Sequence, residues 1–271
     1  MLDTSPVTCS VGDSVMRSMS LLSLCIAACA GSALPLAAQE RSFNFALGAA
    51  VTATPDYLGS GNREAGGKVI FKFGELNFGG RSFGTAIGEV PDNGVSVGGA
   101  FRFLGERDAE DNPELAGLTD IDAAVELGLG VTYRQTNWLA FGEVRQGFGG
   151  HDGVTGTLGA DLIMRPTDRW TVTAGPRLNL GNSNFANTYY GVSAADAGTS
   201  GFGAFDAEGG LLGAGLQVGA SYRMTEKWTM DWVLSYEKLM NDAADSPITM
   251  GGSEDQLNVS FGLSRAFTLR F

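Results

Sequence analysis

The residues best suited to catalysis in this chain are an adjacent histidine and aspartate, His151 and Asp152. A hydrolase of the Ser-His-Asp type needs an imidazole that a carboxylate orients toward a nucleophile. His151 is the only histidine among 271 residues, and glycines flank the pair. Because adjacent side chains at a strand end point in opposite directions, this pair does not predict a dyad. We interpret the segment as a turn and expect no enzymatic activity.

Metal chemistry has similarly few candidates. Four acidic residues fall in one segment that could hold a divalent cation: Asp108, Glu110, Asp111 and Glu114. A solvated acidic loop is the preferred interpretation of this segment. All three cysteines, Cys9, Cys25 and Cys29, precede residue 39, and a zinc site built on one histidine is improbable. We predict neither a metal nor another cofactor.

Composition restricts the class of protein. The net charge of −12 argues against a surface that neutralises phosphates, so no nucleic-acid partner is expected. Hydrophobic residues make up 44% of the chain, which argues against disorder. After residue 38, no apolar run approaches the roughly 18 residues that a membrane-spanning helix needs. A soluble β-rich protein and a transmembrane β-barrel remain.

The first residues resemble a secretory signal. An apolar run from Leu21 to Ala30 follows Arg17 and precedes small residues up to Ala38, where we expect cleavage. Residues before Met16 add nothing to such a signal, so Met16 is a second candidate start of translation. Lipoprotein processing at Cys29 is the alternative to cleavage after Ala38. The predicted organisation is a signal peptide at 1–38 and a barrel domain at 39–271.

The rest of the chain alternates apolar with polar or small residues, for example at 42–54, 121–133 and 212–224. Segments of roughly 9–13 residues suit strands that cross a bilayer at a tilt. Short connections (135–137, 166–168, 225–227) alternate with long ones (105–120, 182–209, 241–256). We predict an all-β, antiparallel, up-and-down transmembrane barrel with short periplasmic turns and long external loops. Eleven segments are recognisable, near 42–54, 67–74, 76–89, 94–104, 120–134, 137–148, 153–165, 169–181, 210–224, 227–240 and 257–271. A barrel with both termini in the periplasm requires an even number. We therefore predict twelve strands, with ten as the alternative and 67–104 as the ambiguous region.

Aromatic residues and the last strand support the barrel. Four residues near strand ends beside short turns are predicted to form an interfacial girdle against outer-membrane lipid: Tyr133, Trp138, Trp170 and Trp228. The final segment alternates through Phe267, Leu269 and Phe271, and Arg265 is the one departure on its apolar face. Outer-membrane barrels resemble one another in such an ending, which implies that these three residues are the signal for the barrel-assembly machinery.

Five ordered segments carry a family resemblance: Pro55-Asp56-Tyr57-Leu58-Gly59-Ser60, Leu115 to Ile121, Arg145 to Gly153, Tyr189 to Ser193, and Leu239 to Ile248. In this pattern the chain resembles the MipA/OmpV family of MltA-interacting outer-membrane proteins of Gram-negative bacteria. We interpret residues 55–60 as a loop-shaping motif, in which Pro55 ends the strand and Gly59 permits positive φ. Asp245, Ser246 and Pro247 are predicted to shape the last external loop. The aromatic-rich segment 182–209 is expected to pack on itself or fold into the lumen.

Three functions remain open. The resemblance implies a scaffold that links a membrane-bound lytic transglycosylase to a peptidoglycan synthase. The small and polar inner face permits a small-solute channel. The long loops permit surface adhesion or recognition. We favour the scaffold on the resemblance alone, since periodicity supports only the barrel.

Overall fold

The computed structural model describes residues 41–109 and 111–271, so the predicted signal peptide lies outside the described residues. These residues form one antiparallel sheet. Consecutive strands from β4 to β11 pair with one another, β2 pairs with β3, and β1 pairs with both β2 and β11. The strands are β1 (Ser42–Pro55), β2 (Arg63–Phe78), β3 (Arg81–Gly84), β4 (Gly94–Leu104), β5 (Ala124–Arg134), β6 (Trp138–Gly149), β7 (Val154–Thr167), β8 (Trp170–Gly181), β9 (Gly210–Arg223), β10 (Trp228–Leu239) and β11 (Asp255–Arg270).

The alternation in sequence becomes two different faces of the sheet. On β5, Leu127, Leu129 and Val131 are at least half exposed, whereas Glu126, which precedes Leu127, is fully buried on the opposite face. The same pattern recurs from strand to strand, because directly paired residues lie on one face. An exposed apolar face with a polar inner face is the inverse of a soluble protein, and it is what a bilayer requires.

The strand count is the point at which sequence and structure differ, since the described residues form eleven strands. Ten are long, and β3 spans only 4 residues. Residues 76–89 do not form the predicted full strand, because Gly79, Gly80, Gly84 and Gly88 adopt positive φ and break it. The first residues of β1 and the last residues of β11 lie at the end of the sheet that carries the short turns. There the Phe271 N–H donates a hydrogen bond to the Arg41 carbonyl.

Among the described residues, β3 and β4 are the two edge strands, with no ladder between them. On the side away from β1, β2 pairs only through Glu75 to Phe78, with β3. The ten long strands alternate in direction along the sheet. The long strands nearest its two edges, β2 and β4, therefore run antiparallel to each other.

The long connections contain short helices: a 3₁₀ turn (Pro113–Leu115), α1 (Ser183–Tyr190), α2 (Ala194–Thr199), α3 (Asp242–Asp245) and α4 (Pro247–Gly251). Asn182 caps the N-terminus of helix α1, and its side-chain oxygen accepts a hydrogen bond from the Phe185 N–H at 3.1 Å. No helix in the described part of the chain is long and apolar enough to span a membrane.

Candidate functional site

The long connections gather into one packed structure, which we call the loop cap: residues 56–62, 105–123, 182–209 and 240–254. One cluster joins four different connections through Tyr57, Leu118, Val192 and Ile248, together with Leu115. A second cluster packs α1 against Leu212 and Leu239 at the ends of β9 and β10. The predicted inward packing of segment 182–209 is therefore seen, since Phe185, Tyr189 and Tyr190 are all buried.

The family-motif segment 55–60 supplies a buried anchor to the cap. Pro55 ends β1 and Leu58 packs against the cluster around α1. The Tyr57 hydroxyl donates to Glu114 Oε1 at 3.3 Å, and burial, followed by the nearby Glu114 carboxylate, raises the pKa of Tyr57 to about 12. Tyr57 therefore stays a neutral hydrogen-bond donor, and it stabilises the packing of the loops.

The same motif is hydrogen-bonded to the last strand, β11, which is far away in the sequence. Gln256 on β11 accepts from the Gly59 N–H at 3.4 Å and donates to the Ser60 carbonyl at 3.3 Å. Gly59 has φ +94°, and a Cβ there would lie 2.7 Å from Thr249 Oγ1. Only glycine satisfies both the backbone conformation and the close approach of the last loop.

The last loop contributes a buried capping serine. Ser246 is fully buried, donates to the Tyr190 carbonyl at 2.6 Å and accepts from the Ile248 N–H at 3.2 Å. Pro247 occupies the first turn of α4, and Asp245 is exposed at the end of α3. Ser246 thus connects α4 to α1. The three residues predicted to shape the last loop, Asp245, Ser246 and Pro247, therefore lie at the junction of these helices.

His151 lies in the turn 150–153 and is buried beneath α1, in edge contact with the rings of Phe185 (5.1 Å) and Tyr189 (5.5 Å). Its Nδ1 accepts the Gly153 N–H at 3.1 Å. Burial lowers the pKa of His151, so the imidazole is neutral with its proton on Nε2. The turn was predicted, but the burial was not. Gly147 makes room for the ring, because a Cβ there would lie 2.1 Å from His151 Cε1.

A buried ion cluster occupies the inner face of β4 to β7 beneath His151. The fully buried Glu126 carboxylate accepts from Arg102 (Nε 2.7 Å, Nη2 2.6 Å), Arg145 Nε (3.0 Å) and Thr155 Oγ1 (3.0 Å). His151 Nε2 lies 3.3 Å from Glu126 Oε1, without the alignment of a hydrogen bond. Arg145 also reaches Glu143, so the charges compensate one another. Sequence periodicity placed Glu126 on the inner face, but no local signal identified its partners.

Two cavities lie beside this cluster. The first, about 280 Å³, is bounded by α1 and residues 54–58 on one side and by inner-face side chains of β4, β8, β10 and β11 on the other. The second, about 270 Å³, lies among β6 to β10 and shares Asn179 and Glu237 with the first. Among the described residues, no three His, Cys, Asp or Glu side chains gather to hold a metal ion.

A family model decides the classification. The model of the family described as MltA-interacting protein MipA matches residues 47–267, which is most of the chain. The chain belongs to the MipA family. This membership agrees with the predicted resemblance, and with the exposed apolar face it makes the protein an outer-membrane β-barrel protein of Gram-negative bacteria.

No curated protein matches this MipA-family chain. Solved structures with similar features include Neisserial surface protein A (10% identity, 83% of this chain and 97% of that chain, TM-score 0.27). Two others are the Ralstonia pickettii toluene transporter TbuX (11%, 87% and 90%, 0.27) and the outer membrane protein OprG from Pseudomonas aeruginosa (12%, 84% and 97%, 0.22). At these TM-scores the similarities carry no argument about function.

At the short-turn end of this MipA-family barrel, residues 85–93 form a segment that we call the periplasmic strap. The Ile87 N–H donates to Asn44 Oδ1 at 2.6 Å, and the Arg223 guanidinium donates to the Gly88 carbonyl. Asn93 donates to Thr136 Oγ1 at 3.3 Å. The strap thus contacts β1, β9 and the turn after β5, and the sequence pattern had assigned part of it to a strand.

The predicted girdle residues all lie on the outward face at the short-turn end. Tyr133 and Trp138 meet edge to face at 5.5 Å across one turn, and Trp170 packs against Tyr222 at 4.8 Å. The Arg265 guanidinium lies over the rings of Trp228 (5.7 Å) and Phe267 (5.2 Å). The Arg265 guanidinium therefore lies against aromatic rings on the apolar face. The position of these aromatic residues at the membrane interface stays a prediction.

The last residues are accessible in the folded protein. Leu269 and Phe271 are more than half exposed, and Phe267 stacks on Phe45 of β1 at 5.7 Å. Their role as an assembly signal stays a prediction.

Proposed function

We propose that this MipA-family barrel is a scaffold that holds a lytic transglycosylase of the MltA type, and through it a peptidoglycan synthase, beneath the outer membrane. The observation that carries the proposal is the family match over residues 47–267. The predicted signal peptide at 1–38 and barrel domain at 39–271 are part of this proposal, since an outer-membrane scaffold must first be exported.

The periplasmic strap is the surface that we assign to partner binding. The other connections at this end in the described chain are only short turns: 79–80, 135–137, 168–169 and 224–227. The strap exposes Val90 (61%) between the exposed acidic residues Glu89 and Asp92. An exposed apolar side chain inside an acidic rim suits a partner surface with a small apolar pocket and basic residues around it.

The loop cap supports scaffolding over adhesion and over free conduction. Its aromatic side chains pack into the clusters around Tyr57 and Phe185, where Tyr57, Phe185, Tyr189 and Tyr190 are buried and Phe202 and Phe205 are half-buried, so they offer little external contact surface. The cluster around α1 packs on the ends of β9 and β10, and the Glu126 ion cluster occupies part of the inner face of the sheet.

The test is binding of a soluble lytic transglycosylase domain to the folded barrel in lipid nanodiscs, with Val90→Asp as the strap variant. Met250→Asp is the matched control, because Met250 is equally apolar and 76% exposed but lies in the loop cap. We expect Val90→Asp to weaken binding at least tenfold and Met250→Asp to leave it unchanged. Equal binding by both variants and the wild type would reject the strap. No binding by the wild type would reject the scaffold.

Small-solute passage is the second candidate, and one observation favours it. The two inner cavities are adjacent, since the polar side chains of Asn179 on β8 and Glu237 on β10 line both of them. This function requires the loop cap to open, and steady conductance of the folded wild-type protein would place it ahead of scaffolding.

A further inference from the structure

Three of the strands that run toward the short-turn end finish with an arginine on the inner face of the sheet. These residues are Arg134 of β5, Arg223 of β9 and Arg270 of β11. Side chains alternate between the two faces of a strand. Each arginine lies an even number of residues from an inner-face polar residue of its own strand: Glu126, Ser221 and Ser264, respectively. Guanidinium groups therefore line the inner face at this end, although the whole chain carries a net charge of −12.

Arg165 adds a fourth guanidinium group close to Arg134. It lies two residues before the end of β7, and its Nη1 donates to the Thr136 carbonyl, in the turn after β5, at 2.8 Å. Among the described residues, the charged side chains that act on Arg134 are Arg165 and Asp161. Both Asp161 carboxylate oxygens already accept from Arg177, each at 2.9 Å. Arg134 and Arg165 thus form a like-charged pair whose neighbouring carboxylate is bound elsewhere.

The protein uses these guanidinium groups to different extents. Arg223 donates to the carbonyls of Gly88 and Asp168, so it holds the periplasmic strap against the turn after β7. The side chains of Arg134 and Arg270 donate to no acceptor among the described residues. A guanidinium group carries five N–H donors in a planar fork that matches the oxygens of a carboxylate or phosphate. The donors of Arg134 are therefore available to an oxyanion.

There is space for a ligand beside Arg134. Gly94 on β4 pairs with Arg134, and a Cβ at this glycine would meet no atom within 4 Å. On the other side, Arg134 pairs with Leu139 of β6, which is buried. The Arg134 side chain itself is half-buried, so salt screens its charge less than that of a fully exposed group. A ligand therefore has room on the β4 side of the guanidinium group.

We propose that the inner face at the short-turn end binds a small oxyanion with two anionic groups, held between Arg134 and Arg165. Arg134 donates to one anionic group and Arg165 to the other. Arg223 and Arg270 add to the positive potential that attracts the ligand. Lipid headgroups lie outside the barrel wall, so the ligand reaches this site from the periplasmic water. The proposal does not rest on the scaffold function, because the site needs no protein partner.

The test is calorimetric titration of inorganic pyrophosphate into the folded protein in nanodiscs of zwitterionic lipid. Its two phosphoryl groups suit two guanidinium groups. We expect saturable 1:1 binding by the wild type and about tenfold weaker binding by Arg134→Gln and by Arg165→Gln. Arg134→Lys keeps the charge but loses the planar fork, so its affinity should lie between those of Arg134→Gln and the wild type. Heat-modifiable gel migration shows that each variant is folded.

Arg63→Gln is the matched control, because Arg63 is an exposed arginine at the opposite end of the sheet, at the start of β2. It removes the same charge and should bind pyrophosphate like the wild type. Arg134→Gln remains informative if Arg165→Gln disturbs the turn after β5, since the Arg134 side chain holds no turn in place.

Nanodiscs that contain phosphatidylglycerol separate a free anion from a lipid headgroup. For a site on the inner face, anionic lipid should change pyrophosphate binding far less than Arg134→Gln does. The proposal is overturned if the wild type shows no saturable binding, if anionic lipid abolishes the binding, or if Arg134→Gln binds no more weakly than Arg63→Gln.

Discussion

Beneath helix α1, His151 Nε2 lies 3.3 Å from Glu126 Oε1. Both residues are buried, and they come from different segments of the sequence. His151 packs under the loop cap through Phe185 and Tyr189, while Glu126 belongs to the ion cluster of the barrel wall. The pair therefore connects the external loops to the inner face of the sheet. We therefore expect protonation of His151 to change the stability of the loop cap.

The first prediction concerns pH. Burial lowers the pKa of His151 below its ordinary 6.5, so an opened loop binds a proton more readily than the packed one. The stabilisation from the neutral ring is complete above pH 6.5 and decreases as the pH falls below that value. Glu126, Arg102 and Asp152 are the charged groups that act on the ring, and the lowered pKa is their net effect with burial.

Hydrogen exchange of residues 182–209, measured for wild type and His151→Gln at the same pH, checks this prediction. The wild-type segment should become severalfold less protected than the variant on going from about pH 7.5 to about pH 5.5. Identical pH dependence in both proteins would contradict the role of His151.

The second prediction concerns the buried charge cluster. Glu126→Ala leaves Arg102 without its carboxylate and removes one of the two acidic partners of Arg145, so the free energy of unfolding should fall by about 3 kcal/mol. Urea unfolding in lipid vesicles provides the measurement. Glu254→Ala is the matched control, because its pair with Lys238 is about half exposed and should contribute less than about 1 kcal/mol. Similar losses in both variants would show that the cluster is not a stabilising unit.

The third prediction concerns the junction between α4 and α1. Ser246→Ala removes the cap of α4 and leaves the Tyr190 carbonyl without its buried donor, which should lower the free energy of local opening by about 1–2 kcal/mol. Hydrogen exchange of residues 183–190 and 246–251 measures this loss. Ser253→Ala is the comparison, since Ser253 caps only a partly exposed turn. Unchanged protection in Ser246→Ala would contradict the proposed joining of the two helices.

The strands were largely predictable because each one alternates with period two, and β4 begins and ends at the residues expected from its sequence. The strap was not predictable. Residues 76–89 alternate in the sequence like a strand, but four of their glycines adopt positive φ, which the sequence alone does not show. The candidate site was missed for a different reason. Asp56, Tyr189 and Glu237 are far apart in sequence, and the cavity that they line depends on how the loops pack over the strands.

The central claim is that a packed loop cap makes this MipA-family barrel a scaffold and not an open pore. The most direct test is conductance of the folded wild-type protein in planar bilayers, with heat-modifiable gel migration to show that the barrel is folded. A second sample, in which a short Gly-Ser linker replaces residues 183–208, opens the cap. We predict a folded but silent wild type and steady conductance steps from the opened variant. Steady steps from the folded wild type would contradict the claim and favour a channel.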